Sequence, residues 1–145
     1  MATINKIKVE IVTSNINNAG TNGDVFIAIA GREFKLDSTA NDFEQNSRRT
    51  YILGKRAAEE IGTSVNNPEL NDPHTPFVLD TADLNRFPTW IRFEPLGSSP
   101  DWNLDFVRAT VNPGPGEVTY HILDGKANLW LGQNSGKYCF LKRSN

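Results

Sequence analysis

The sequence predicts an all-β fold, an antiparallel β-sandwich or barrel, from its turn residues and from the spacing of its apolar runs. The 145 residues include 16 Asn, 11 Gly and 8 Pro, which are residues that favour turns for distinct backbone reasons. Between these turns lie about eight short β-like runs, a pattern typical of a sandwich or barrel. The length suits a single domain over residues 1–145, and 14 aromatic residues, 8 Phe, 3 Tyr and 3 Trp, supply surface for its core.

The first strand shows the clearest pattern. Residues 6–12 read KIKVEIV, in which Ile7, Val9 and Ile11 alternate with charged residues. A period of two predicts a strand with one buried and one solvated face.

The other predicted strands follow in order. Residues 101–111 form the longest run, but Trp102, Leu104 and Phe106 share one parity whereas Val107, Ala109 and Val111 share the other. A β-bulge near Phe106 would restore a single buried face. The shorter runs are residues 24–30, 33–36, 50–53, 77–79, 89–93, 118–123, 128–131 and 138–142.

One short helix is predicted, at residues 55–61. The segment KRAAEEI has good helix propensity, and Gly62 follows it as a C-terminal cap. This helix begins a long loop, residues 55–86, whose prolines and asparagines predict a surface excursion rather than a linker between domains.

Charge and composition exclude several classes of protein. The formal net charge is -2, so no basic excess favours nucleic acid as a partner. A single Cys excludes an internal disulfide framework. No apolar run reaches about 20 residues, so no transmembrane segment is predicted. The N-terminus lacks a signal-peptide pattern, which predicts a soluble protein, either cytoplasmic or peripherally bound to a membrane.

No catalytic motif stands out, and the sequence predicts that the chain is not an enzyme. His74 lies in the polar excursion and His121 in a strand, both without metal-ligand spacing. Cys139 alternates with Tyr138 and Phe140, which predicts a buried and inert thiol.

Four segments, taken in order, resemble a known family. They are AGTNGDVFI at residues 19–27, NDFEQNSRRTY at residues 41–51, GSSPDWNLDFV at residues 97–107, and NLWL at residues 128–131 before a final strand. This order is similar to the PLAT (LH2) domain of lipoxygenases, pancreatic-type lipases, polycystins and clostridial alpha-toxin. The resemblance implies a sandwich of two four-stranded sheets. It also implies a non-catalytic module that targets lipid, membrane or protein, here standing alone.

Some members of this family bind calcium with loop oxygens, so the resemblance offers calcium as a cofactor; the alternative is that Asn and Gly here serve turns and Asp24 is an ordinary surface carboxylate. The candidate ligands are the carbonyl of Gly20 and the side chains of Asn22, Asp24, Asp42 and Glu94, with Glu44 on the same loop as Asp42. Calcium prefers six to eight oxygen ligands. Residues 94–97 read EPLG, where calcium-binding relatives usually carry an Asp-Asn pair, so the predicted site is weakened.

Two residues are predicted to contact a membrane or a protein partner. Trp90 lies on the polar side of its strand, and Leu96 lies at the tip of a loop near the predicted calcium site. Trp102 and Trp130 match family positions and are assigned to the core. The chain has no polybasic cluster to attract anionic lipid.

Three functions follow from these features. The first is lipid or membrane association, assisted by calcium. The alternatives are a protein-interaction module without lipid binding and a carbohydrate-binding sandwich, because fold alone does not define function.

Overall fold

The computed structural model describes residues 2–54, 63–97, 99–122 and 128–144. Within these ranges lie eleven strands and two short 3-10 helices, at Pro68–Leu70 and Thr81–Asn85. The strands are β1 (Lys6–Thr13), β2 (Asp24–Ile29), β3 (Arg32–Lys35), β4 (Arg48–Gly54), β5 (Thr63–Ser64), β6 (Trp90–Glu94), β7 (Trp102–Val111), β8 (Val118–His121), β9 (Leu129–Leu131), β10 (Tyr138–Phe140) and β11 (Lys142–Arg143).

The strands form two sheets. The larger sheet has the order β11-β8-β7-β1-β4-β5, with β9 also paired to β7, and the smaller has the order β10-β6-β2-β3. Every pairing is antiparallel except that of β4 with β5. The predicted all-β sandwich is confirmed. The sheets hold seven and four strands rather than four each. The run predicted at residues 138–142 divides into β10 and β11, which pair with different sheets, and the two residues of β5 are too few to show an alternating pattern.

The prediction for residues 77–79 is wrong, because the structure contains no strand there. The amide of Leu79 donates to the carbonyl of Pro73 (3.0 Å), and its carbonyl accepts from the amide of Ile4 (2.8 Å). These bonds hold the segment as a loop against the N-terminus. The predicted helix at residues 55–61 lies outside the described residues.

The predicted β-bulge is present in β7. Val12 of β1 pairs with Phe106, whereas the next residue, Thr13, pairs with Leu104. Asp105 therefore has no partner on β1, and the extra residue reverses the parity of the strand. As a result Trp102 and Val107 both face the core.

The core lies between the two sheets and is dominated by aliphatic and aromatic side chains. Trp102 is fully buried, as predicted, with its ring 6.1 Å from Phe93 and 5.3 Å from Phe43, centroid to centroid. Its indole N–H donates to Thr13 Oγ1 (2.8 Å). Trp130, also assigned to the core, is 37% exposed instead, because Leu131 takes the inward position of the short strand β9.

Apart from glycine, asparagine supplies most of the left-handed backbone in the described residues. Six residues other than Gly have a positive φ, and five of them are Asn: Asn18, Asn46, Asn67, Asn112 and Asn128. Asn tolerates this conformation better than most residues with a Cβ. The high Asn content thus serves the connections between strands.

Candidate functional site

Three loops meet at one end of the sandwich, which we call the loop end. They are residues 14–23, 36–47 and 95–101. The amide of Thr21 donates to the carbonyl of Phe43 (2.9 Å), and Thr21 Oγ1 donates to the carbonyl of Pro100 (2.6 Å). Thr21 therefore joins all three loops into one surface.

A cleft of about 180 Å³ opens between the first two of these loops. Oxygen-bearing side chains make up much of its wall, and they include four carboxylates. These residues are Asn22, Asp24, Asp37, Asn41, Asp42 and Glu44. Carboxylate and amide oxygens are the ligands that calcium prefers, so this cleft is the candidate cation site.

The cleft brings together three of the five predicted calcium ligands, Asn22, Asp24 and Asp42. Gly20 lines a neighbouring, more open cleft. Glu94 pairs in register with Asp24 across β2 and β6 but does not line the cleft.

Asp42 is already committed to internal hydrogen bonds. Its buried carboxylate accepts from the Ser38 amide (2.8 Å), from Ser38 Oγ and from the hydroxyl of Tyr51 (2.8 Å). A carboxylate with these donors supports the loop from Ser38 to Asp42 and has little free capacity for an ion.

The other two predicted carboxylates face cationic side chains. Asp24 lies 3.4 Å from the ammonium of Lys35, and Glu94 lies 3.0 Å from Nη1 of Arg92. Among the described residues no three His, Cys, Asp or Glu side chains converge to hold a metal ion. Asn22, Asp24, Asp37 and Glu44 could contribute oxygens, but they are not assembled as a tight site.

Sequence reasoning missed Asp37 as a cleft residue. It lies two residues after β3, where the chain turns into the loop that carries Asp42. A carboxylate directly after a strand that ends beside Asp24 is the signal that could have identified it.

Apolar side chains are exposed around the loop end. Leu96 is 51% exposed on the loop after β6, and Ile16 is 41% exposed on the loop after β1. Trp130 is the third exposed apolar side chain at this end. It pairs with Asn103 near the start of β7, and the backbone amide of Asn103 donates to the carbonyl of Ala19 in the first loop (2.9 Å). Only Leu96 was predicted from the sequence.

Trp90 lies on a different surface from Leu96. It occupies the opposite end of β6, on the outer face of the smaller sheet, and pairs with Phe140 of β10. Its ring centroid lies 5.9 Å from Tyr138 and 6.3 Å from Phe140, and those two rings lie 5.7 Å apart. We call Trp90, Tyr138 and Phe140 the aromatic patch.

The histidines and the thiol show no catalytic arrangement. His74 Nδ1 lies 2.9 Å from Asp72 and Nε2 lies 3.0 Å from Asn5, so the ring ties a loop to the N-terminal segment. His121 Nδ1 lies 3.1 Å from Ser144 Oγ. Cys139 is half-buried, and burial raises the pKa of its thiol, which favours the unreactive protonated form.

No protein-family model matches the chain. Structural comparison identifies its fold as that of a PLAT-type (LH2) β-sandwich, which confirms the resemblance of the sequence motifs. The alpha toxin of Clostridium absonum superposes with a TM-score of 0.63 over 97% of this chain and 32% of the toxin, at 23% identity. A coral 8R-lipoxygenase, described as having calcium activation via a C2-like domain, superposes with a TM-score of 0.55 over 95% of this chain and 17% of the enzyme, at 18% identity.

The sequence relatives are clostridial phospholipases C. The chain is 30% identical over 143 residues to phospholipase C of Clostridium novyi, and 29% identical over 141 residues to that of Clostridium haemolyticum. Each alignment covers 93% of this chain but 29% of the relative. The matched part is thus a PLAT-like portion of a longer enzyme. Within the described residues, no helix has the length and apolar character needed to cross a membrane.

Proposed function

We propose that this chain is a non-catalytic PLAT-type module that associates peripherally with a lipid surface through its loop end, with calcium as a weak ligand. The observation that carries the proposal is that exposed Ile16, Leu96 and Trp130 lie at the same end of the sandwich as an oxygen-lined cleft. The similarity to phospholipases C and to a lipoxygenase with a calcium-activated C2-like domain supports it.

Two physical signals would act together at this end. Apolar side chains enter the interfacial region of a bilayer, where an indole is also well accommodated. The carboxylates of the cleft repel anionic headgroups, and a bound calcium ion would remove that repulsion. Peripheral binding generally needs two such signals, and neither the three apolar side chains nor the ion suffices alone.

A calcium titration followed by thermal unfolding tests the metal part. An ion that binds the native state raises its stability by mass action. We expect a dissociation constant of about 10⁻⁴–10⁻³ M, the weakest range of protein calcium sites, because affinity follows the number of charged ligands and the rigidity of the site. Asp24→Asn should abolish the rise in midpoint. Asp83→Asn, in the 3-10 helix at Thr81–Asn85, is the matched control and should retain it. An unchanged wild-type midpoint at millimolar calcium would exclude a functional site.

Vesicle co-sedimentation tests the lipid part. With phosphatidylcholine and phosphatidylserine vesicles plus calcium, Leu96→Ser should lower partitioning about tenfold, since burying one Leu side chain is worth about 1.5–3 kcal/mol. Leu70→Ser is the control, because Leu70 is 67% exposed but lies at the opposite end of the sandwich, where its carbonyl accepts from Arg32. If wild-type protein fails to pellet with or without calcium, lipid association is wrong.

A further inference from the structure

The aromatic patch is a second exposed apolar surface, separate from the loop end. Tyr138 is 55% exposed and Phe140 is 59% exposed, and both contact Trp90. Contiguous exposed apolar side chains mark interaction sites in soluble domains. Trp and Tyr are also the residues most enriched in binding hot spots.

The patch lies on a free sheet edge. β10 ends the order β10-β6-β2-β3, and in the described residues no strand pairs with its other side. The carbonyl of Lys137 accepts from the amide of Phe93 (2.7 Å), and the amide of Leu141 donates to the carbonyl of Thr89 (2.8 Å). In an antiparallel ladder such positions alternate. The N–H and C=O groups of Tyr138 and Phe140 therefore point away from β6.

The polar groups beneath the rings already form hydrogen bonds with one another. Glu33 Oε2 accepts from the Trp90 indole N–H (2.8 Å) and from Arg92 Nε (2.8 Å), and Glu33 Oε1 accepts from Arg92 Nη2 (3.0 Å). Sugar hydroxyls would find few unused partners here. Insertion into a bilayer would also desolvate the Arg92–Glu33 ion pair, which is costly.

We propose that β10 is a docking edge for an extended strand of a protein partner. Such a strand would pair with the outward backbone groups of Tyr138 and Phe140 and lay its alternate side chains on the aromatic patch, as in strand addition elsewhere. Lys137 and Lys142 flank β10 and are exposed, so the partner strand carries apolar residues at alternate positions and acidic residues at its ends. This inference does not depend on the proposed lipid association.

Selection from a library of displayed random peptides on the folded protein tests the docking edge. Enriched peptides should alternate apolar residues and carry acidic flanks. Binding one of them should slow hydrogen exchange at the Tyr138 and Phe140 amides. Phe140→Ser removes the ring alone, and Phe140→Pro also removes an outward N–H while sparing the ladder to β6. Each should weaken binding at least about tenfold, and Phe77→Ser, at another exposed aromatic residue, should not.

Thermal unfolding of each variant would show that the fold is retained. Failure to enrich any peptide would overturn the proposal, as would binding that Phe140→Pro leaves unchanged. Protection of the same two amides that rises with protein concentration alone would assign the edge to a second copy of the chain instead. If oligosaccharides shift the NMR signals of the aromatic ring protons of the patch without protecting the two amides, the surface would be assigned to a glycan instead. Vesicle binding is measured separately, so its loss would not mimic any of these results.

Discussion

Asp42 illustrates how a single buried side chain decides what a loop can do. The sequence suggests an ion ligand, because a carboxylate in a PLAT-like loop is a plausible oxygen donor. The structure instead surrounds Asp42 with the hydroxyls of Ser38 and Tyr51. Sequence reasoning could not foresee this, since Tyr51 lies in the next strand and only the pairing of β4 with β1 turns its ring toward the core.

The pairing of Tyr51 with Asp42 predicts a change of stability at alkaline pH. Burial, followed by the charge and hydrogen bond of Asp42, raises the pKa of Tyr51 far above its ordinary value. In the unfolded chain the phenol loses its proton near pH 10. Above that pH the unfolded state releases a proton that the native state keeps. The free energy of unfolding should therefore fall by about 1.4 kcal/mol per pH unit from this group.

Tyr51→Phe isolates this effect. Between pH 9 and about pH 11, the free energy of unfolding measured with urea should decline less steeply with pH for the variant than for wild type. Above pH 10 the two slopes should differ by about 1.4 kcal/mol per pH unit. Below pH 9 the variant should lose only about 1 kcal/mol, the usual value of one hydrogen bond, because Ser38 still donates to Asp42. Parallel pH profiles would show that the phenol of Tyr51 ionises normally in the native state.

At the scale of elements, the bulge in β7 sets which side chains fill the sandwich. Deletion of Asp105 would remove the unpaired residue and leave a regular ladder, in which Thr13 still pairs with Leu104 and Val12 with Phe106. Trp102 and Leu104 would stay inward, because the residues on the two sides of the deletion then alternate without a break. Both side chains are fully buried. The core would therefore be retained, and the deletion removes only the bend and extra twist that the bulge gives to β7. We expect the deletion variant to unfold in a cooperative transition, with its free energy of unfolding lowered by about 0.5–3 kcal/mol.

Asp105→Ala is the matched control for the deletion. It keeps the residue count and should change the free energy of unfolding by less than about 1 kcal/mol, as is usual for a substitution away from the core. Tryptophan fluorescence would report on Trp102 directly. A deletion variant with no cooperative transition, or with an exposed Trp102, would mean that the bend produced by the bulge is itself required for the fold.

At the scale of the whole molecule, the fold was more predictable than the site. Alternation in β1 and the phase change near Phe106 identify strands and a bulge, because each depends only on neighbouring residues. The exposure of Trp130, by contrast, depends on how the three residues of β9 pair with β7. The separation of Trp90 from Leu96 depends on which face and which end of β6 each occupies. These features depend on which strands pair with one another, and a pattern of neighbouring residues does not contain that information.

This separation predicts two surfaces that work independently. Trp90 pairs with Phe140 at one end of β6, whereas Leu96 follows the other end. Leu96→Ser should therefore weaken vesicle binding alone, and Phe140→Ser should weaken peptide binding alone. In the double variant the two losses should add within about 0.5 kcal/mol, as for distant sites. Co-sedimentation and peptide titration of the three variants would measure this. A large loss of vesicle binding in Phe140→Ser would instead join the patch and the loop end in one membrane-facing surface, as the sequence prediction for Trp90 and Leu96 allowed.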